Sequence, residues 1–224
     1  MSRFLAVLEN EVQLAALAFL AAVYLVRIAW LLRFRSRPER TYARGSATAG
    51  VALSLANIAL PWSMESVRRK PFFYVQFVVF HLGVAAAIAA TFLIPYAPGF
   101  FRERAAVVGF QVVLAAAFLV GLLRLYRRLA DAAVRLVSSA DDFFSLILMT
   151  AYFGAAFLAV PNDYRHREWT LALFFGLTAF FLVYVPFSKI GHYLYYPFAR
   201  FFLGRTLGRR GVRPAGSAGE RHET

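Results

Sequence analysis

Residues 72–95 read FFYVQFVVFHLGVAAAIAATFLIP, twenty-four residues without a formal charge and with a single histidine, His81, well inside. About 20 helical residues cross the hydrocarbon core of a bilayer, so this length and composition predict a membrane-spanning helix. Working outward, four more stretches of the same kind occur at about 12–32, 105–125, 143–160 and 169–190. The reading is all-α: an integral membrane bundle of about five transmembrane helices. With 60% hydrophobic residues and 24 Phe in 224 residues, the polar side chains do not suffice to coat a soluble domain. They bunch in short patches between the apolar runs, as a bilayer solvent requires.

Charge sets the expected orientation. Of the 25 Lys and Arg, 19 fall in residues 33–70, 124–142 and 189–224, which are alternate connections between spans. The positive-inside rule makes these cytoplasmic, with the N-terminus outside and the C-terminus cytoplasmic. The net charge of +13 therefore records topology, with a share for anionic lipid or a partner. No zinc spacing or phosphate loop accompanies it, and no nucleic-acid partner is expected. Arg27 lies in the last turns of the first span, where a long side chain snorkels to the interface. Glu9 and Glu11 precede that first run, which is longer than a signal-peptide core and is read as a retained span.

Residues 46–62 (SATAGVALSLANIALPW) are apolar, small-residue-rich and closed by Pro61. If they crossed the membrane, Arg68, Arg69 and Lys70 would fall outside, so an interfacial helix is expected. Residues 1–207 form one membrane domain on this reading. Residues 208–224, rich in Gly, Ser and charge, read as a disordered cytoplasmic tail.

The chain has no cysteine, which excludes disulfides, Cys-ligated iron–sulfur clusters and thiolate haem. Four histidines remain. His222 sits in the tail and His166 in the outer turn PNDYRHRE. His81 lies within a span and His192 follows the last one, in VPFSKIGHYLYYP (185–197). Ionisable groups at membrane depth mark functional sites by default. The plain alternative is that each imidazole makes an interhelical hydrogen bond. Two imidazoles on helices of opposite direction also suit the two axial positions of a haem iron. Gly83 and Ala85, Ala86, Ala87, Ala89 and Ala90 leave room beside the helix for a flat macrocycle, and equally permit close helix packing. His81 stands 11 residues past Lys70, about 16 Å along a helix, and His192 stands 23 past Trp169, about 34 Å. Tilt, or a last helix continuing through Tyr195, would bring the two to one depth.

The stretch VPFSKIGHYLYYP resembles the end of the last span in the cytochrome b (gamma) subunit of respiratory nitrate reductases. It resembles still more closely the membrane cytochromes of sulfite-reduction and heterodisulfide-reductase-like complexes. VFHLGV (79–84) is similar to the family's second-span motif, and SSADDFFSLILM (138–149) to the start of its fourth span. The resemblance implies a haem b-containing subunit held in the cell's cytoplasmic (inner) membrane. It would pass electrons between the quinone pool and a cytoplasmic-side iron–sulfur partner, as an electron-transfer subunit rather than a stand-alone enzyme. The family commonly carries two haems. A second histidine normally follows the first by ten residues, where this chain has Thr91. Another normally precedes the PFSK-linked histidine by eighteen, where this chain has Phe174. The resemblance thus implies one haem b, near the cytoplasmic face, ligated by His81 and His192. Lys189 and Arg124 become candidates for its propionates. The aromatic residues Tyr96, Phe100 and Phe101 read as an interfacial belt. The alternative is a haem-free anchor that tethers a cytoplasmic redox enzyme.

Overall fold

A computed structural model describes residues 1–33, 42–60 and 65–212. All regular structure among them is helical. We number the principal helices α1 (Arg3–Arg33), α2 (Ala47–Ala59), α3 (Pro71–Tyr96), α4 (Arg104–Ala130), α5 (Ala140–Ala159), α6 (Glu168–Tyr184) and α7 (His192–Arg209). Five are long and apolar enough to cross a membrane: α1, α3, α4, α5, and α6 with its extension to Phe187. These coincide with the five expected spans. Their outer faces carry large apolar side chains exposed from the protein, such as Leu25, Val26, Val112 and Leu119. A helix satisfies its own backbone hydrogen bonds, so such a surface is stable only where lipid replaces water.

The chain divides into two compact bodies, residues 1–31 with 75–191, and residues 32–74 with 192–224. The first body holds the spans. Its core is aromatic: Phe153, Phe174 and Phe175 are fully buried, with Leu114, Val160 and Leu171 around them. Successive spans run antiparallel. Gln111 Nε2 donates to the Phe157 carbonyl (3.2 Å), and Tyr152 pairs with Phe174 and Thr178 across α5 and α6. Helix α1 lies parallel to α6, tied by Ser2 N to Glu168 (2.8 Å) at one end and Gln13 Nε2 to the Phe175 carbonyl (2.7 Å) further along. Helices α3 and α4 touch at Gly83, where a Cβ would collide with that of Ala117. Without a hydrophobic drive between helices in lipid, such close approach supplies the dispersion that holds them.

Two sequence expectations change here. The last span does not continue as one helix through Tyr195. Pro186 has no N–H to donate, the backbone tightens into a 3-10 turn at Val185–Phe187, and Ser188 is extended. A second 3-10 turn, Lys189–Gly191, follows before His192 opens α7. Arg27 is also more than a snorkelling side chain. Its guanidinium donates to the Pro186 carbonyl and lies 5.4 Å from the Phe187 ring centroid, so it caps the broken end of the last span.

In the second body, α2 is the helix expected over 46–62; Pro61 lies outside the described residues. It packs backbone to backbone on α7. A Cβ at Gly50 would collide with the Gly204 carbonyl, and one at Gly208 would sit 2.6 Å from the Ser46 carbonyl. Gly204 and Gly208 form a G-x-x-x-G pair whose bare face admits the other helix. Gly208, the first residue of the expected tail, belongs to this crossing, since α7 runs on to Arg209. Residues 213–224 lie outside the described residues.

Candidate functional site

His81 projects from α3 into an exposed position, ten residues into a 26-residue helix. Its Nδ1 is 2.7 Å from the Phe77 carbonyl one turn back, and a carbonyl accepts only, so Nδ1 is the protonated nitrogen. In the neutral imidazole the other nitrogen, Nε2, is then the acceptor. The Phe77 ring packs against the imidazole at 4.0 Å between centroids, and Phe80 stands edge-on at 6.3 Å. A backbone acceptor that fixes the tautomer, with the opposite nitrogen presented outward, is the arrangement of a metal-ligating histidine. Ala85, one turn on along the same face, is exposed and adds only a methyl group. Gly83, Ala87 and Ala90 are spent on helix packing instead, buried towards α4 and α5.

On the adjacent span, the Arg124 guanidinium of α4 stacks on Phe80, 5.0 Å from its centroid. Among the described residues it has no hydrogen-bond or ion-pair partner. It is a cation held on an aromatic face near the end of a span, with its donors open.

Lys189, the other basic candidate, is otherwise engaged. Its Nζ donates to Ser139 Oγ and to Asp142 Oδ2, both at 2.7 Å, and its backbone N–H donates to Asp141 at 3.0 Å. Asp141 also accepts from the Tyr184 hydroxyl, and Arg128 reaches Ser138 (2.7 Å) and stands 4.0 Å from Asp142. The SSADD segment is therefore a clamp. It caps α5 through the Ser139–Asp142 capping box and grips the 3-10 turn of the PFSK segment. His192, three residues after Lys189, is exposed as the first residue of α7 and belongs to the second body, whereas His81 belongs to the first.

Position 91 and position 174 meet in the core. The Thr91 hydroxyl is 3.1 Å from the Tyr152 hydroxyl, which is 3.2 Å from Thr178 Oγ1, and the Tyr152 ring stacks on Phe174 at 5.4 Å and 11°. Thr91 and Thr178 also donate back to their own helices, to the Ala87 and Phe174 carbonyls. Tyr152 is only 5% exposed, so nothing flat enters between α3 and α6 at this level. Sequence reading had no signal for Tyr152, an aromatic among many in a span.

His166 lies in the turn at 161–167, fully open, with Nδ1 on Asp163 Oδ1 at 3.1 Å. The His166 backbone amide, more than its ring, holds the Asp163 carboxyl below the usual carboxylate range. It is a turn residue whose one acidic neighbour is Asp163; among the described residues no cluster of three or more His, Asp or Glu forms a metal site. His222 lies outside the described residues. Tyr96 and Phe100 are exposed, as an interfacial belt requires, but Phe101 is buried against Phe110 (5.2 Å) and belongs to the core.

No family model matches the chain, and no solved structure matches it. A protein of Nitratidesulfovibrio vulgaris, recorded simply as "Protein", is 30% identical over 160 residues, 69% of this chain and 70% of that one. The matched length takes in most of a chain whose five apolar helices account for most of its residues. With identity at this level over more than two thirds of both proteins, the chain belongs to one family with that Nitratidesulfovibrio vulgaris protein.

Proposed function

We propose that the chain is the haem b subunit of a respiratory oxidoreductase complex in the cytoplasmic membrane, similar to the gamma subunit of nitrate reductases. On this reading it carries one haem, held by His81 and His192 on the cytoplasmic side, and exchanges electrons between quinone and an iron–sulfur partner. The observation that carries the reading is the state of His81: exposed at span depth, tautomer fixed by the Phe77 carbonyl, Nε2 presented outward. Left facing lipid with no acceptor to fill, such a group is a cost to the fold. As an axial ligand it is used.

A haem with two imidazole ligands supplies reversible one-electron transfer and leaves no coordination position for substrate. The chain's own residues supply the rest. Phe77 orients the His81 ring by its carbonyl and its face. Arg124 offers an unpaired guanidinium for a carboxylate near that ring, the task a propionate would set. Asp141, Asp142 and Tyr184 grip the Lys189 turn from which the His192 segment emerges. Tyr152 fills the level at which two-haem relatives carry their other ligands, which supports a single haem.

Single substitutions test it. His81→Ala and His192→Ala should each abolish stable haem binding while the helical signal in circular dichroism persists. A protein that keeps its full b-type spectrum after either change does not use these ligands. A colourless wild-type preparation would instead favour the haem-free anchor.

A further inference from the structure

The helix pair α2–α7 encloses a groove that the haem reading does not use. It has a volume of about 220 Å³ and is lined by Arg200 and Val212, with Gly50, Leu53, Leu203 and Leu207 among its walls. Along α7 its lining residues run from Arg200 to Gly208, about 12 Å at the helical rise. Its floor is low because the helices cross at glycines, and its walls are aliphatic rather than aromatic. That is the section of a flexible hydrocarbon chain.

Charge identifies the other half of the ligand. Arg200 is fixed at the groove's end by a reciprocal pair: its Nε donates to the Ser54 carbonyl (3.0 Å), and Ser54 Oγ donates to the Arg200 carbonyl (2.8 Å). The two terminal guanidinium nitrogens have no hydrogen-bond partner among the described residues. They form the fork that binds a phosphate by two parallel bonds. In this body as a whole, residues 42–60, 65–74 and 192–212 hold eight Lys and Arg against one acid, Glu65, a net charge of +7. The same body exposes Leu53, Ile58, Phe201 and Leu203. Basic and apolar surface on one helix pair is the signature of a segment lying in a membrane interface.

We propose that the α2–α7 groove is a binding site for an anionic phospholipid, with one acyl chain along the Gly50–Leu207 trough and the headgroup phosphate on Arg200. A phospholipid meets both halves, and the spans of this chain keep it among such molecules. Neither a free phosphate nor an acidic peptide uses the aliphatic trough. The proposal is independent of the haem reading.

The test is lipid binding to the full chain in detergent, followed by native mass spectrometry. The probes are phosphatidylglycerol, phosphatidylcholine, and chain-less glycerol phosphate as the free-phosphate control. Phosphatidylglycerol should bind roughly fivefold more tightly than phosphatidylcholine, the share of one Arg at a membrane surface, and glycerol phosphate should not compete. Arg200→Gln should erase that preference at unchanged helix content, and Leu203→Trp, at an exposed wall position, should weaken both lipids alike. Equal binding of the two lipids to the wild type overturns the proposal without recourse to any variant. So does competition by glycerol phosphate or by an acidic peptide, or a preference that survives in a folded Arg200→Gln protein.

Discussion

Two levels of α3, a few turns apart, treat their polar groups in opposite ways. Towards Tyr96, Thr91 meets Tyr152 and Thr178 in a closed chain of hydroxyls, with Phe174 stacked over it and no volume left. Towards Pro71, His81 is exposed with only its Nδ1 held, by the Phe77 carbonyl, and Arg124 lies on Phe80 with its donors open. The first is a finished core and the second is a set of unspent valences. Polar groups at membrane depth are costly unless paired, so the contrast separates a level that holds the bundle together from one whose polar groups are left open among the described residues.

The largest effect expected from breaking this contrast is at Tyr152. Tyr152→Ala removes a fully packed ring and two hydrogen bonds, and should cost about 3–5 kcal/mol of stability, read as a fall in thermal midpoint in detergent. Tyr152→Phe keeps the ring and should cost about 1 kcal/mol, since membrane hydrogen bonds are individually modest. A sharper form tests whether space or ligands are lacking. Thr91→His with Phe174→His should not gain a second haem, because Tyr152 still fills the gap. Haem uptake by that double variant would show the level to be roomier than its packing.

At the other level the expected changes are smaller and electrical. Arg124→Met should leave folding intact and lower the haem midpoint potential on the order of 50 mV, because a nearby cation favours the reduced form. An unchanged potential would place Arg124 away from the cofactor. Smallest of all, Lys189→Met should lower stability by at most about 1 kcal/mol, as for a largely exposed ion pair. It should not lower haem affinity as His81→Ala does, because the Lys189 backbone N–H still bonds Asp141.

These two levels were not equally legible in the sequence. The five spans were readable because length and apolarity alone decide whether a helix belongs in lipid. His81 stood out for the same reason, as an ionisable group in an apolar run. Tyr152 did not, since its role depends on three residues drawn from α3 and α6 that no local pattern connects. The clamp was half visible: SSADD and PFSK were noticed as motifs, but that Asp142 consumes the Lys189 ammonium appears only when the two ends meet. The break after the last span was written in Pro186, whose missing N–H stops a helix, yet the apolar run through Ile190 argued for continuity. Helix α7 extends through Arg209 against a reading of disorder. Gly208, counted with the Gly-rich tail, is there with Gly204 to let α2 approach.

The most direct measurement is haem-to-protein stoichiometry of the purified wild-type chain, with low-temperature electron paramagnetic resonance of the oxidised form. The account predicts one b-type haem per chain with a low-spin bis-imidazole signal. No haem, two haems, or a high-spin five-coordinate signal would contradict it.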